Sequence, residues 1–143
     1  MPRSSSPDRG IPLSPEIASI GLPMARYVSI TNITRDTSLG TRVRVATSLR
    51  DRVVGLLRTP EVPPGEGLLI ERTASIHMFF MRYSIDVVFV DRSARVTRTV
   101  SRLRPWRVVW WARGARDCIE LRAGALEGTG TQRGDQLAFS EVP

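Results

Sequence analysis

His77, Arg82 and Asp86 interrupt one of the most apolar stretches of this chain, Ser75-Ile-His-Met-Phe-Phe-Met-Arg-Tyr-Ser-Ile-Asp-Val-Val-Phe-Val-Asp91. Polar groups in such surroundings are costly unless they are paired. His77 is the only histidine. Its ordinary pKa near neutrality suits a general base. No Ser–Asp or Cys partner accompanies it in the sequence, which favours a core histidine held by a backbone carbonyl. Asp86 and Glu120 are carboxylates flanked by apolar strand residues, with Arg58, Arg82 and Arg122 as candidate partners. Such groups serve as an acid–base pair or a polar-ligand site. They serve equally as a buried ion pair that fixes strand register, the commoner case, and Arg82 with Asp86 is read that way. The catalytic candidates are therefore His77, Asp86 and Glu120. A ligand-binding surface would draw on Arg58, Phe79, Met81, Arg82 and Trp106.

Metal and cofactor chemistry find little support. One His, one Cys and no CxxC leave no zinc set. A Gly-rich dinucleotide loop and a Walker loop are both missing, and Gly65-Glu-Gly67 reads as a turn. No cofactor and no metal are expected. Cys118, the single cysteine, reads as a core thiol and cannot form an internal disulfide.

A second class of chemistry lies further along. Arg92, Arg95, Arg98, Arg102, Arg104, Arg107, Arg113 and Arg116 follow one another without an acidic residue, interleaved with Trp106, Trp110 and Trp111. Arginines with exposed aromatics suit single-stranded nucleic acid. The net charge of +7 points the same way. All 21 basic residues are arginine and none is lysine, however, which has the look of codon bias in a GC-rich genome. A solvated arginine face is the competing reading.

The elements that must position these residues are mostly strands. The length of 143 residues fits one domain, typically about 100–150 residues. Residues 1–26, rich in Ser, Pro, Gly and Arg, read as a flexible arm, and 27–143 as a single β-rich domain. Alternating or β-branched runs predict strands at 27–33, 41–47, 68–71, 75–81, 85–91, 95–101, 107–112, 117–122 and 137–142. The strands 75–81 and 85–91, joined by Arg82-Tyr-Ser84, read as a central apolar hairpin. Residues 123–128 suggest a helical turn. Ser48-Leu-Arg-Asp51 matches a capping box, and Leu49, Val53, Leu56 and Leu57 follow at helical spacing. That predicts one short helix over 49–58, stopped by Pro60. The expected fold is mainly β (α+β): a compact antiparallel β-barrel or sandwich of short strands, with one short helix closing an end.

Three blocks then carry a family resemblance: Arg52-Val-Val-Gly-Leu-Leu-Arg58, Gly65-Glu-Gly-Leu-Leu-Ile70 and the stretch 75–91. Leu103-Arg-Pro-Trp-Arg107, Ile119-Glu-Leu-Arg-Ala-Gly124 and Gly134-Asp135 extend it in order. Together they resemble the bacterial and archaeal domain-of-unknown-function family 192, over roughly Val28 to Val142. The resemblance implies a small, mainly β domain with no established activity. The family's run of tryptophan, methionine, lysine, asparagine and threonine stands here as Phe80-Met81-Arg82-Tyr83-Ser84. The basic position and the carboxylate at Asp86 are kept, while the tryptophan and asparagine are absent. Any role of that asparagine does not carry over. Many relatives are exported, but no signal-peptide pattern opens this sequence, and a cytoplasmic location is expected.

The reading favoured by the sequence is a non-enzymatic module that binds a small ligand or a protein. The alternative is a hydrolase-like enzyme using buried carboxylates with His77, and the second alternative is nucleic-acid binding through 92–116.

Overall fold

The computed structural model describes residues 25–46, 61–78 and 81–143. Within them run nine strands: β1 Arg26–Asn32, β2 Thr37–Ala46, β3 Glu66–Ile70, β4 Ile76–His77, β5 Ile85–Val90, β6 Val96–Leu103, β7 Val108–Val109, β8 Asp117–Arg122 and β9 Leu137–Val142. The described residues hold no helix. The helix expected over 49–58, like Arg58 and Phe79, lies outside the described residues.

Seven strands form one sheet in the order β6-β5-β8-β3-β2-β1-β9. All its pairs are antiparallel except β2 with β3, which is parallel. A parallel pair needs a long crossover, and 19 residues, 47–65, separate β2 from β3 in the sequence. The expectation of a wholly antiparallel sheet fails at this one pair. Register shifts interrupt β1–β2 around Ile30 and β5–β6 on both sides of Val87–Phe89. Such bulges bend strands and increase twist.

The bent sheet rolls around an apolar cluster to which all seven strands contribute, among them Val28, Val43, Leu69, Val88, Val96 and Leu137. Its edges meet at one isolated bridge, Arg95 with Gln136. The Val96 N–H also donates to the Asp135 carbonyl at 2.8 Å. The Gly134 N–H donates to the Val96 carbonyl at 2.8 Å and the Leu137 N–H to the Ala94 carbonyl at 2.9 Å, but among the described residues no strand ladder joins β6 to β9, so the sheet is not closed into a barrel. A second cluster, with Leu68, Ile70, Val87 and Phe89, lies on the outer face. There the small β4–β7 sheet covers it with Ile76 and Val109. The mainly β expectation is met by two layers of strands.

Among the described residues, the expected hairpin of 75–81 with 85–91 is not formed. β4 is only two residues long and pairs with β7, His77 opposite Val108. β5 has both edges filled, by β6 and by β8. A strand hydrogen-bonded on both sides has no N–H or C=O row left for a third neighbour. All six β5 residues are buried, which explains why that strand reads as apolar on both faces.

Gly67 marks the tightest approach inside the sheet. A β-carbon there would stand 2.3 Å from the Glu120 carbonyl oxygen, a backbone atom that cannot swing aside. Gly67→Ala is expected to cost about 1–3 kcal/mol through overpacking, read as a lower urea midpoint. An unchanged midpoint would contradict the β3–β8 packing.

Candidate functional site

Asp86 and Glu120 are both fully buried, yet they do not share a site. Asp86 is in register with Leu121, which faces the inner cluster. Glu120 is in register with Leu68 and Val87, which face the outer one. Register partners point to the same side of a sheet, so the two carboxylates lie on opposite faces. An acid–base pair made of Asp86 and Glu120 is therefore ruled out by register.

The expected Arg82–Asp86 pair is also replaced. Arg82 is exposed. Asp86 Oδ1 accepts from the Arg102 N–H at 2.8 Å, and Oδ2 from the Leu126 N–H at 2.9 Å. The β5–β6 register shift beside Asp86 explains this. A bulge leaves a backbone donor without its ladder partner, and the carboxylate takes it up. Asp86 thus ties the bulge in β6 to the turns after β8. Those turns, Arg122 to Thr129, are bound by carbonyls three residues back, such as Ala125 N–H to Arg122 O at 2.9 Å. Arg122 pairs with Glu61 at 3.2 Å. Met81 is buried in the outer cluster rather than presented to a ligand. His77 is half-buried on β4.

One polar cluster escaped the sequence reading. Asp135, buried between β8 and β9, accepts from Asn32 Nδ2 at 3.0 Å and from the Gln132 N–H at 3.1 Å. Arg35 grips it with Nε at 3.0 Å and Nη2 at 3.3 Å. Asn32 in turn donates to Thr131 Oγ1 and accepts from the Arg35 N–H. The Arg35 guanidinium, helped by Asn32 and Gln132, holds the Asp135 carboxyl down at about 2. Every partner is satisfied within the protein, so this is a clasp between the β1–β2 turn and the approach to β9. Only Gly134-Asp135 hinted at it. Asn32 and Arg35 sit about a hundred residues away and carry no local signal.

The surface of the chain is a different matter. Trp106, Trp110 and Trp111 are 59%, 79% and 75% exposed. Trp111 stands in the β7–β8 connection, which is pinned at both ends. The Ala112 N–H donates to the Ala74 carbonyl at 2.6 Å, and the Arg116 N–H to Val90 at 2.7 Å. Trp111 adopts φ +35°, a left-handed conformation that bulky residues avoid. Neither core packing nor backbone preference recommends tryptophan there.

Trp111 borders two grooves. The first, about 540 Å³, is lined also by Arg72, Arg92, Arg116, Ser75 and Asp91. The second, about 490 Å³, is lined also by Arg98, Arg113, Arg133, Thr97 and Thr99. All six arginines are exposed, and among the described residues none of them is in an ion pair. Among the described lining residues Asp91 is the only carboxylate, and its Oδ1 accepts from the N–H groups of Ser93 and Arg95. Arg72 and Arg133 come from outside the segment 92–116. Arginine-rich composition accounts for many arginines, but not for six around one exposed indole. No cluster of His, Cys, Asp and Glu able to hold a metal occurs among the described residues. Among them no helix is long and apolar enough to cross a membrane.

Comparison with known proteins agrees with this picture of an uncharacterised β domain. The model of the family DUF192, described as Uncharacterized ACR, matches residues 30–139. A UPF0127 protein of Thermococcus sibiricus is 39% identical over 103 residues, 67% of this chain and 64% of the relative. The chain thus covers somewhat less than two-thirds of that relative. A UPF0127 protein of Pyrococcus horikoshii is 37% identical over 113 residues, 77% of this chain and 97% of the relative. Two crystal structures share the fold. One, from Sinorhizobium meliloti and provisionally described as a transcription regulator, has a TM-score of 0.68 at 20% identity, covering 81% of this chain and 94% of that one. The other, of unknown function from Novosphingobium aromaticivorans, has a TM-score of 0.67 at 19% identity, covering 83% and 88%.

Two measurements check this geometry. Asp135 has a folded pKa below its ordinary value, so its contribution to stability is full above about pH 4. It is lost as pH falls toward 2. The stability difference between the parent and Asp135→Asn should be constant from pH 5 upward and shrink between pH 4 and 2. A difference that persists undiminished to pH 2 would contradict the clasp. Trp111→Gly relieves a left-handed side chain but loosens the unfolded chain. These effects offset, and its unfolding free energy should stay within about 1 kcal/mol of the parent. A much larger loss would mean that Trp111 is part of the core.

Proposed function

The chain belongs to the uncharacterised family DUF192, and we propose that it is a non-enzymatic binding module that holds polyanionic ligands on the arginine-lined face around Trp111. The observation that carries this reading is the convergence of Arg72, Arg92 and Arg116 on one side of Trp111, and of Arg98, Arg113 and Arg133 on the other. Exposed guanidiniums that make no ion pair among the described residues, gathered round a concave surface, attract and hold phosphate oxygens. Grooves of this size fall in the usual range of binding clefts, about 300–1,000 Å³.

The buried carboxylates support the non-enzymatic side of the reading. Asp86 spends both oxygens on backbone donors. Glu120 faces away from it. The binding unit in this reading is the β-rich stretch 27–143, acting in the cytoplasm.

Calorimetric titration with inorganic polyphosphate tests the reading. Binding should be measurable at low salt and weaken steeply as salt rises. The double variant Arg98→Ser, Arg113→Ser should bind several-fold more weakly, with unfolding unchanged because both side chains are exposed. Absence of binding at low salt, or binding indifferent to the two arginines, would overturn it.

A further inference from the structure

We propose that the polyanion this face takes is single-stranded nucleic acid, with phosphates in the two arginine-lined grooves and a base stacked on the Trp111 indole. The proposal rests on the polyanion reading of the same face and names the class of ligand.

Charge alone leaves Trp111 without a purpose. A bare polyphosphate needs arginines and has no use for an indole that is 75% exposed. A nucleotide strand uses both, since every base offers a π-face for stacking and every linkage a phosphate. Trp111 borders both grooves. A strand that engages both grooves passes Trp111, and that is where a base would meet the exposed indole. Ser75 in one groove and Thr99 in the other add hydroxyl donors to the arginines. Thr97 is already engaged with the Phe89 carbonyl at 3.2 Å.

The other polyanionic surfaces fit less well. In a duplex the base faces are hidden in the stack, so the indole would stay idle. A bilayer presents a broad plane of headgroups, which does not reach into two separate grooves. The left-handed backbone at Trp111 adds weight, because strained residues held in place by their surroundings gather at functional sites.

The test is fluorescence anisotropy with a labelled oligothymidylate of about 12 nucleotides, within the span of known single-strand sites. Competitors are the matching duplex, polyphosphate of equal charge and phosphatidylserine vesicles. The oligothymidylate should bind most tightly. Its log affinity should fall against log salt with a slope of about −2 to −4, for three to six phosphates engaged. Arg98→Ser with Arg113→Ser should reduce that slope by about 1.4. Trp111→Ala should weaken binding about ten-fold or more, and Trp111→Phe should restore most of it. Equal affinity for oligothymidylate and polyphosphate, or indifference to Trp111→Ala, would overturn the proposal and leave the polyanion reading standing. Tighter binding to the duplex or to vesicles would also overturn it. No binding to either oligothymidylate or polyphosphate would sink both.

Discussion

The structure turns on β5, a six-residue strand buried on both faces and hydrogen-bonded along both edges. With β6 on one side and β8 on the other, it leaves no edge for β4. The chain before it must pair elsewhere, and it finds β7. That pairing lays a second layer over the outer cluster and fixes where the β7–β8 connection emerges. Trp111, Arg113 and Arg116 are displayed from that connection, and Arg72, Arg92, Arg98 and Arg133 approach them from other parts of the chain. The same strand separates Asp86 from Glu120, because alternate residues of β5 and β8 serve opposite cores. One saturated strand thus dissolves the apparent polar site of 75–91 and places the basic face on the outside.

Two of the buried carboxylates, Asp86 and Asp135, stand where the backbone is irregular. Asp86 accepts the donor freed by a bulge and a donor from a turn. Asp135 gathers a backbone N–H, an amide and a guanidinium where the chain approaches its last strand. For Asp135 these donors, the Arg35 guanidinium first among them, favour the ionised carboxylate. Such residues are built into the fold, and little acceptor capacity is left for a substrate.

Much of the fold is legible in the sequence because strand periodicity is local. The strands at 117–122 and 137–142 fall where alternation and turn residues place them. Glu66 and Gly67 join β3, ahead of the expected start at Leu68. Partner choice is not legible, since Ile76-His77 and Ile85 to Val90 look like a hairpin until edge saturation is known. The parallel β2–β3 pair is equally invisible, as only long-range packing distinguishes it from an antiparallel one. The Arg92–Arg116 segment was readable as basic and aromatic. Its grooves were not, because Arg72 and Arg133 arrive from distant turns. Asn32 and Arg35 have no apolar run around them to make their polarity conspicuous, and their partner is far along the chain.

Amide hydrogen exchange with and without polyphosphate tests most directly which face of this fold binds. Added ligand should slow exchange at residues 72–75, 91–99 and 111–116, around the two grooves, and leave 81–86 unchanged. Protection centred on 76–86, around His77 and Arg82, would contradict the assignment of the binding face to Trp111 and its arginines.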